Sequence, residues 1–309
     1  MMPIGTRGSS HRLAFIIAMN LVFQGFVASG QETPSGQSKP SGAISVSAIP
    51  QHLVNGGPVF FRVTTPTPLR SLKGTWLGHE VVFDHGKGNQ WFLLAAVSLG
   101  TPPGTVPLTL QATREDGSVL ELRHDFVVGK AKYPIVHLTV SKQFTELRPQ
   151  QQATIKQDQD IKHKTFSEVS AERLWSGRFR APVNAPVSDV FGTRRVFNGV
   201  TKSVHQGLDY RVPAATPVNA INSGTVILAQ NLYFEGNCVT IDHGQGLLSL
   251  YLHLSELRVK EGDHVASNQE IGLSGATGRA TGPHLHIAVR WQGIYLDPAA
   301  LLGLALPGE

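Results

Sequence analysis

Three short segments of the chain carry residues able to bind a metal and move protons. His205-Gln206-Gly207-Leu208-Asp209 places a histidine four residues before an aspartate. Tyr251-Leu252-His253-Leu254-Ser255 sets a histidine inside an apolar run, and Thr281-Gly282-Pro283-His284-Leu285-His286 ends in a His-Leu-His pair. A catalytic zinc site takes three protein ligands from N, S or carboxylate O and leaves a position open for water. His205, Asp209 and one histidine of the His284/His286 pair make such a set, and two histidines remain for acid–base work. A structural metal clip has no use for that surplus, so the pattern points to an enzyme.

Positioning these side chains requires strands. Residues i and i+2 of a strand share a face, so His284 and His286 project together while Leu285 packs behind them. Ile287-Ala288-Val289 continue the strand, and Gly275, Gly278, Gly282 and Pro283 form a tight loop before it. Gly207 lets the backbone pass close to a neighbour. His253 lies in the apolar stretch Leu248 to Leu254, so it needs a partner or a role. Each segment alone has a plainer reading, a surface Asp–His bond or a core histidine on a carbonyl; together they are far more specific. His79-Glu80-Val81-Val82-Phe83 starts like the helical zinc signature His-Glu-x-x-His, but Phe83 replaces the second histidine and the run is β-branched. His79 and His85 are read as surface residues. His137, His163, His243 and His264 have no partner pattern, and the last two sit beside glycine-bearing turns.

The remaining sequence bounds the setting. The chain has 309 residues, 41% hydrophobic and 16% charged, which predicts a globular fold. A net charge of +5 without a basic run gives no support for nucleic-acid binding. Arg7 and Arg12 precede or open an apolar run, Leu13 to Val22, followed by the small residues Ala28-Ser29-Gly30. This reads as an export signal over 1–30, cleaved near Gly30. The run, interrupted by Asn20, is too short for a membrane span of about 20 residues. A periplasmic or extracellular protein without a stable membrane anchor is therefore expected. The single cysteine, Cys238, lies in an alternating strand-like run and reads as a small buried hydrophobe.

Residues 31–42 form a Pro/Ser/Gly/Gln-rich flexible leader. Short β-type runs then recur at 43–49, 59–65, 91–99, 106–112 and 119–128, with a hairpin turn at Asp116-Gly117. They predict a β-sandwich of immunoglobulin-like shape over 43–133, without the Cys-Trp-Cys pattern of a true immunoglobulin domain. A connector over 134–178 follows. Its Gln-rich stretch 149–164 reads as a helix or an extended surface segment, and Trp175 and Phe179 dock it onto a second β-rich unit, 179–309. The fold class is mainly β.

From about Phe179 to Pro298 the chain resembles the LytM/lysostaphin-type zinc endopeptidases of peptidoglycan. The matching motifs are Phe191-Gly192-Thr193-Arg194-Arg195, His205-Gln206-Gly207-Leu208-Asp209, Gly224-Thr225-Val226, Asp242-His243-Gly244, Tyr251-Leu252-His253-Leu254-Ser255, Gly262-Asp263, Gly275-Ala276-Thr277-Gly278 with Gly282-Pro283-His284-Leu285-His286, and Leu296-Asp297-Pro298. The resemblance implies an antiparallel β-sheet peptidase domain. It implies one zinc ion per chain on His205, Asp209 and His286, with His253 and His284 as the non-ligand catalytic histidines. Ile287-Ala288-Val289 departs from the aromatic and glycine that many relatives carry there. The implied activity is hydrolysis of peptide cross-bridges in the bacterial cell wall, through a zinc-activated water with histidine acid–base assistance. A non-catalytic wall-binding regulator that activates another hydrolase is the alternative. Both the D-Ala to diaminopimelate cross-link and a glycine-rich bridge stay open as substrates.

Overall fold

Alternating apolar residues after Gly42 build two sheets. The computed structural model describes residues 42–138, 149–167, 170–197 and 200–306. The export segment 1–30 and all but the last residue of the 31–42 leader lie outside them. Among the described residues no helix is long and apolar enough to cross a membrane. One sheet runs Ser45–Ile49, Pro58–Thr64, Gln90–Ala96, Asp84–His85. The other runs Leu53–Val54, Val119–Gly129, Gly104–Arg114, Leu69–Trp76, His79–Val82. They meet through Phe61, whose ring lies 4.9 Å from that of Trp76 and 5.0 Å from that of Phe126. Trp76 is fully buried and donates its indole N–H to the Ala96 carbonyl at 2.9 Å. A buried indole N–H usually finds such a partner.

His79–Val82 is a strand, as its β-branched residues predict, so the helical zinc signature is absent there. Leu69–Trp76 escaped the sequence reading for a physical reason. Its register shifts between Leu69 and Ser71, so the buried residues Leu69, Leu72 and Trp76 break the two-residue period.

The second unit is organised around a sheet ordered Val187–Asp189, Leu208–Tyr210, Leu285–Trp291, Leu247–Leu254, Gly236–Asp242, Gly224–Leu232, His264–Val265, with Ile294–Leu296 beside Leu285–Trp291. Every pairing in it is antiparallel. Tyr251, Ile241, Leu285 and Ile287 are fully buried in its core. The connector is built into this unit. Ile135–Leu138 pairs in parallel with Arg194–Phe197. Pro149–Ser167 is a helix. Leu174 donates its N–H to the His243 carbonyl at 2.8 Å, and Trp175 and Phe179 are both buried, their rings 5.4 Å apart.

Candidate active site

Antiparallel register puts Asp209 of Leu208–Tyr210 directly opposite His286 of Leu285–Trp291. His205, just before the first of these strands, is held by backbone bonds to Gly192 and Thr193 at 2.8 and 2.9 Å. The approach of His205–Asp209 to His286 depends on Gly207. A Cβ on Gly207 would fall 2.4 Å from His286 Nε2 and 2.5 Å from the Ile287 carbonyl oxygen.

Three electron-pair donors converge as a result. His205 Nε2 lies 3.1 Å from His286 Nδ1 and 3.2 Å from Asp209 Oδ1, and His286 Nδ1 lies 2.7 Å from Asp209 Oδ1. His205 Nδ1 is 2.9 Å from the Val190 carbonyl, so it carries a hydrogen and leaves Nε2 as a lone pair in the neutral ring. Three donors this close need a positive charge between them. Ligands at zinc–nitrogen distances around a tetrahedral ion stand roughly 3.3 Å apart, so the set fits a divalent cation after a small expansion. It is the one group of three metal-binding side chains among the described residues.

The electrostatics agree. Burial alone would raise the Asp209 carboxyl, but hydrogen bonds with His205 and His286 hold it well below the usual carboxylate range. Burial alone would lower His205, yet its bonds to Asp209 and Val190 and the charge of Asp189 leave it raised. His286 is lowered, mainly by burial. One positive charge therefore belongs here, a proton or a metal in its place.

His253 and His284 flank this triangle, with ring centroids 4.8 Å apart and His253 6.2 Å from His286. Leu252 pairs with His286 in the register, so strand alternation would aim His253 at the opposite face. Its backbone φ of +64° breaks the alternation, and the ring lines the same groove as His286. The kink is held by the His253 N–H on the Glu235 carbonyl and by Nδ1 on the Thr277 carbonyl, at 2.8 and 2.9 Å. A non-glycine residue in this region costs about 1–3 kcal/mol, so the surrounding bonds must impose it. Burial pushes His253 down to about 4, which keeps it neutral. His284 Nδ1 rests on the Gly282 carbonyl at 2.9 Å, and its ring is half-buried.

All five residues singled out from the sequence therefore meet in one groove of about 510 Å³. Several partners were not legible beforehand. Asp189 lies 3.5 Å from His205 Nδ1 and is itself held by Arg195 at 2.8 Å. Arg211, Phe234, Glu235 and Arg279 also line the groove. The helix Pro149–Ser167 secures the turn that carries two of them. Buried Asp158 accepts the Tyr233 N–H at 2.7 Å, Gln151 donates to the Tyr233 hydroxyl at 2.8 Å, and Lys162 pairs with Glu235. His243, read as a residue without a partner, is fully buried: its Nδ1 is 2.7 Å from the Ser223 carbonyl and its Nε2 2.7 Å from Ser249 Oγ. His264 Nδ1 meets Thr225 Oγ1 at 3.0 Å. Cys238 is buried, and its thiol is pushed up to about 12 by burial, as suits a packing residue.

Comparison with known proteins gives this geometry a context. The model of peptidase family M23 matches residues 203–298. Peptidoglycan DD-endopeptidase ShyA of Vibrio cholerae serotype O1 is 46% identical over 111 residues, 35% of this chain and 26% of its own length. DD-carboxypeptidase/endopeptidase Mpg of Neisseria meningitidis serogroup B is 39% identical over 121 residues, 39% of this chain and 27% of its own length. The chain thus spans about a quarter of the length of these curated relatives. A solved structure from Pseudomonas aeruginosa assigned to peptidase M23 is 30% identical with a TM-score of 0.63, covering 81% of this chain and 95% of its own. A match that long takes in residues well before position 203.

Proposed function

The chain belongs to peptidase family M23, and from that membership we propose that it is an exported zinc endopeptidase that hydrolyses peptide cross-bridges of bacterial peptidoglycan. The observation that carries this reading is the convergence of His205 Nε2, Asp209 Oδ1 and His286 Nδ1 within 3.2 Å, beside two further histidines that are not part of the triangle. A purely binding module has no need of that arrangement. Export is required by the substrate, which lies outside the cytoplasm.

His205, Asp209 and His286 would hold the ion. Zinc, when bound, supplies a Lewis acid that polarises the scissile carbonyl and brings the pKa of a water toward neutrality. The chain's own groups handle the protons. Glu235 lines the groove but is engaged by Lys162, so the two imidazoles take the role that a glutamate general base plays in other zinc peptidases. The Nδ1–H of His253 is committed to the Thr277 carbonyl, so its neutral ring offers Nε2 as the proton acceptor. The Nδ1–H of His284 is committed to the Gly282 carbonyl in the same way. Its Nε2, once protonated, donates to the developing oxyanion or to the leaving amine. Asp189 and the Val190 carbonyl hold the His205 ring at Nδ1, which fixes Nε2 as the coordinating atom.

The test is digestion of purified cell walls of both cross-link types, with and without a chelator, followed by mass analysis of the fragments. Release of cross-link peptides that stops with chelator and returns with zinc is expected. Intact walls in every arm would sink the reading.

A further inference from the structure

Two guanidinium groups in the groove have no ion-pair partner among the described residues. Arg211 stands two residues beyond Asp209, just past the strand Leu208–Tyr210. Strand parity puts it on Asp209's face, and it is exposed and lines the groove. Arg279 comes from the glycine-rich loop before His284. Its N–H donates to the Phe234 carbonyl at 2.9 Å, and its guanidinium carbon lies 4.3 Å from the Phe234 ring centroid. That loop and the Phe234 turn meet backbone to backbone. A Cβ on Gly278 would fall 2.2 Å from the Gly236 nitrogen. Arg279 is therefore carried on a closely packed support.

The other charges of the groove are accounted for. Arg195 is taken by Asp189, Glu235 by Lys162, and Asp209 by His205 and His286. Arg211 and Arg279 are left as a local excess of positive charge beside the catalytic histidines. The Phe234 ring covers one side of the Arg279 guanidinium, which is otherwise exposed and keeps edge donors available for a two-pronged acceptor. The acceptor that matches that edge is a carboxylate. A neutral bridge offers these groups nothing beyond what water already gives them.

We propose that Arg211 and Arg279 are carboxylate-reading residues, which select cross-links bearing a free carboxylate near the scissile bond over neutral bridges. This rests on the peptide-hydrolase reading of the same groove. The probe is one cross-linked peptide dimer in two forms, with its carboxylates free and with the same groups amidated. Binding to the full chain freed of zinc is measured by calorimetry, and kcat/KM is measured on the zinc-loaded full chain.

The wild type is expected to prefer the free-carboxylate form by about tenfold in both measurements, as befits charge-assisted bonds. The preference should weaken as salt rises. In the Arg211→Gln/Arg279→Gln double variant the two forms should converge, while Arg279→Lys, which keeps charge without the fork, should retain part of the difference. Equal binding of both forms by the wild type, or an undiminished preference in the double variant, would overturn the proposal. Discrimination in binding with no hydrolysis of either form would count against the hydrolase reading alone. Hydrolysis of both forms at equal rates would count against the carboxylate reading alone.

Discussion

His253 and His284, the two histidines proposed to handle protons, sit in different surroundings. His253 is 7% exposed, is held neutral by burial, and reaches the groove through a left-handed backbone kink. His284 is more open and sits on a loop carbonyl. Neither belongs to the ligand triangle, so His253→Ala and His284→Ala should keep one zinc per chain. Turnover should fall by ~10²–10⁴-fold, the usual worth of a general acid or base. Gly207→Ala should behave in the opposite order. Its Cβ would strike the His286 ring and the Ile287 carbonyl, so metal content should drop before anything else. Zinc analysis alongside peptide hydrolysis separates the two classes. Zinc loss in His284→Ala would mean that ligand and base are exchanged within the His-Leu-His pair, and full zinc retention in Gly207→Ala would show that the close approach is dispensable.

At the scale of elements, the central sheet is braced from beneath by a buried polar chain. Ser223 O, His243, Ser249, the Tyr251 hydroxyl and Ile221 N follow one another at 2.7, 2.7, 3.0 and 2.8 Å. Nδ1 of His243 faces a carbonyl, so the neutral ring donates there and accepts at Nε2. Burial lowers its pKa from 6.5 to about 4. The folded value lies below the unfolded one, so folding favours the neutral ring. Its contribution to stability is complete above pH 6.5 and is lost as pH falls toward 4. Each pKa unit corresponds to about 1.4 kcal/mol, so up to about 3 kcal/mol rides on this residue. Asp242 beside it is raised by burial and works in the other direction. The difference between the wild type and His243→Gln across that window isolates the histidine, because Asp242 is common to both. Denaturant melts should show the wild type losing ground to the variant as pH drops, and parallel curves would refute the assignment.

The same elements show how far a sequence can be read. The converging side chains were legible in residue type and spacing, except that only the resemblance chose His286 over His284, and runs of apolar and β-branched residues exposed Pro58–Thr64, Gly236–Asp242 and Leu285–Trp291. The orientation of His253 was not legible, since strand alternation aims it the wrong way and only a positive φ corrects it. The roles of Asp189, Arg195 and Asp158 were hidden because their partners lie 6 to 75 residues away and carry no periodic signal. His243 looked like a turn residue because glycine follows it, yet the turn lies under the connector and is buried.

Across the whole molecule, the sandwich and the sheet of the second unit are joined by specific contacts. Asp297 N–H meets the Gly56 carbonyl at 2.8 Å, Gln292 Nε2 the Glu80 carbonyl at 3.1 Å, and Gln245 Nε2 meets Asp84 Oδ1 at 2.9 Å. Arg173 pairs with Asp84 at 3.3 Å, and the His79 ring lies tilted against that of Trp291, 5.2 Å between centroids. Gly192, beside the backbone that holds His205, has φ +78° and packs so tightly on Tyr133 that a Cβ would overlap its ring at 2.2 Å. The chain leaving the sandwich is thereby pressed against the loop that carries His205. The connector contributes more than reach. Ser170 N–H binds Asp242, Ser176 both donates to and accepts from Asn222, and Trp175 is 5% exposed. A chain beginning at Ser170 keeps these contacts and should fold and bind zinc, with a melting temperature below that of the full chain because the face under the sandwich is uncovered. A chain beginning at Arg180 loses the buried indole, worth about 3–5 kcal/mol when truncated to alanine. It also leaves the side-chain amide N–H groups of Asn222 and the His243 carbonyl without their partners. It should melt well below the Ser170 chain or fail to melt cooperatively at all. Coincident calorimetric transitions for the two shortened chains would show that residues 170–179 are a tether, and that the sheet carrying His253 and His286 is complete without them.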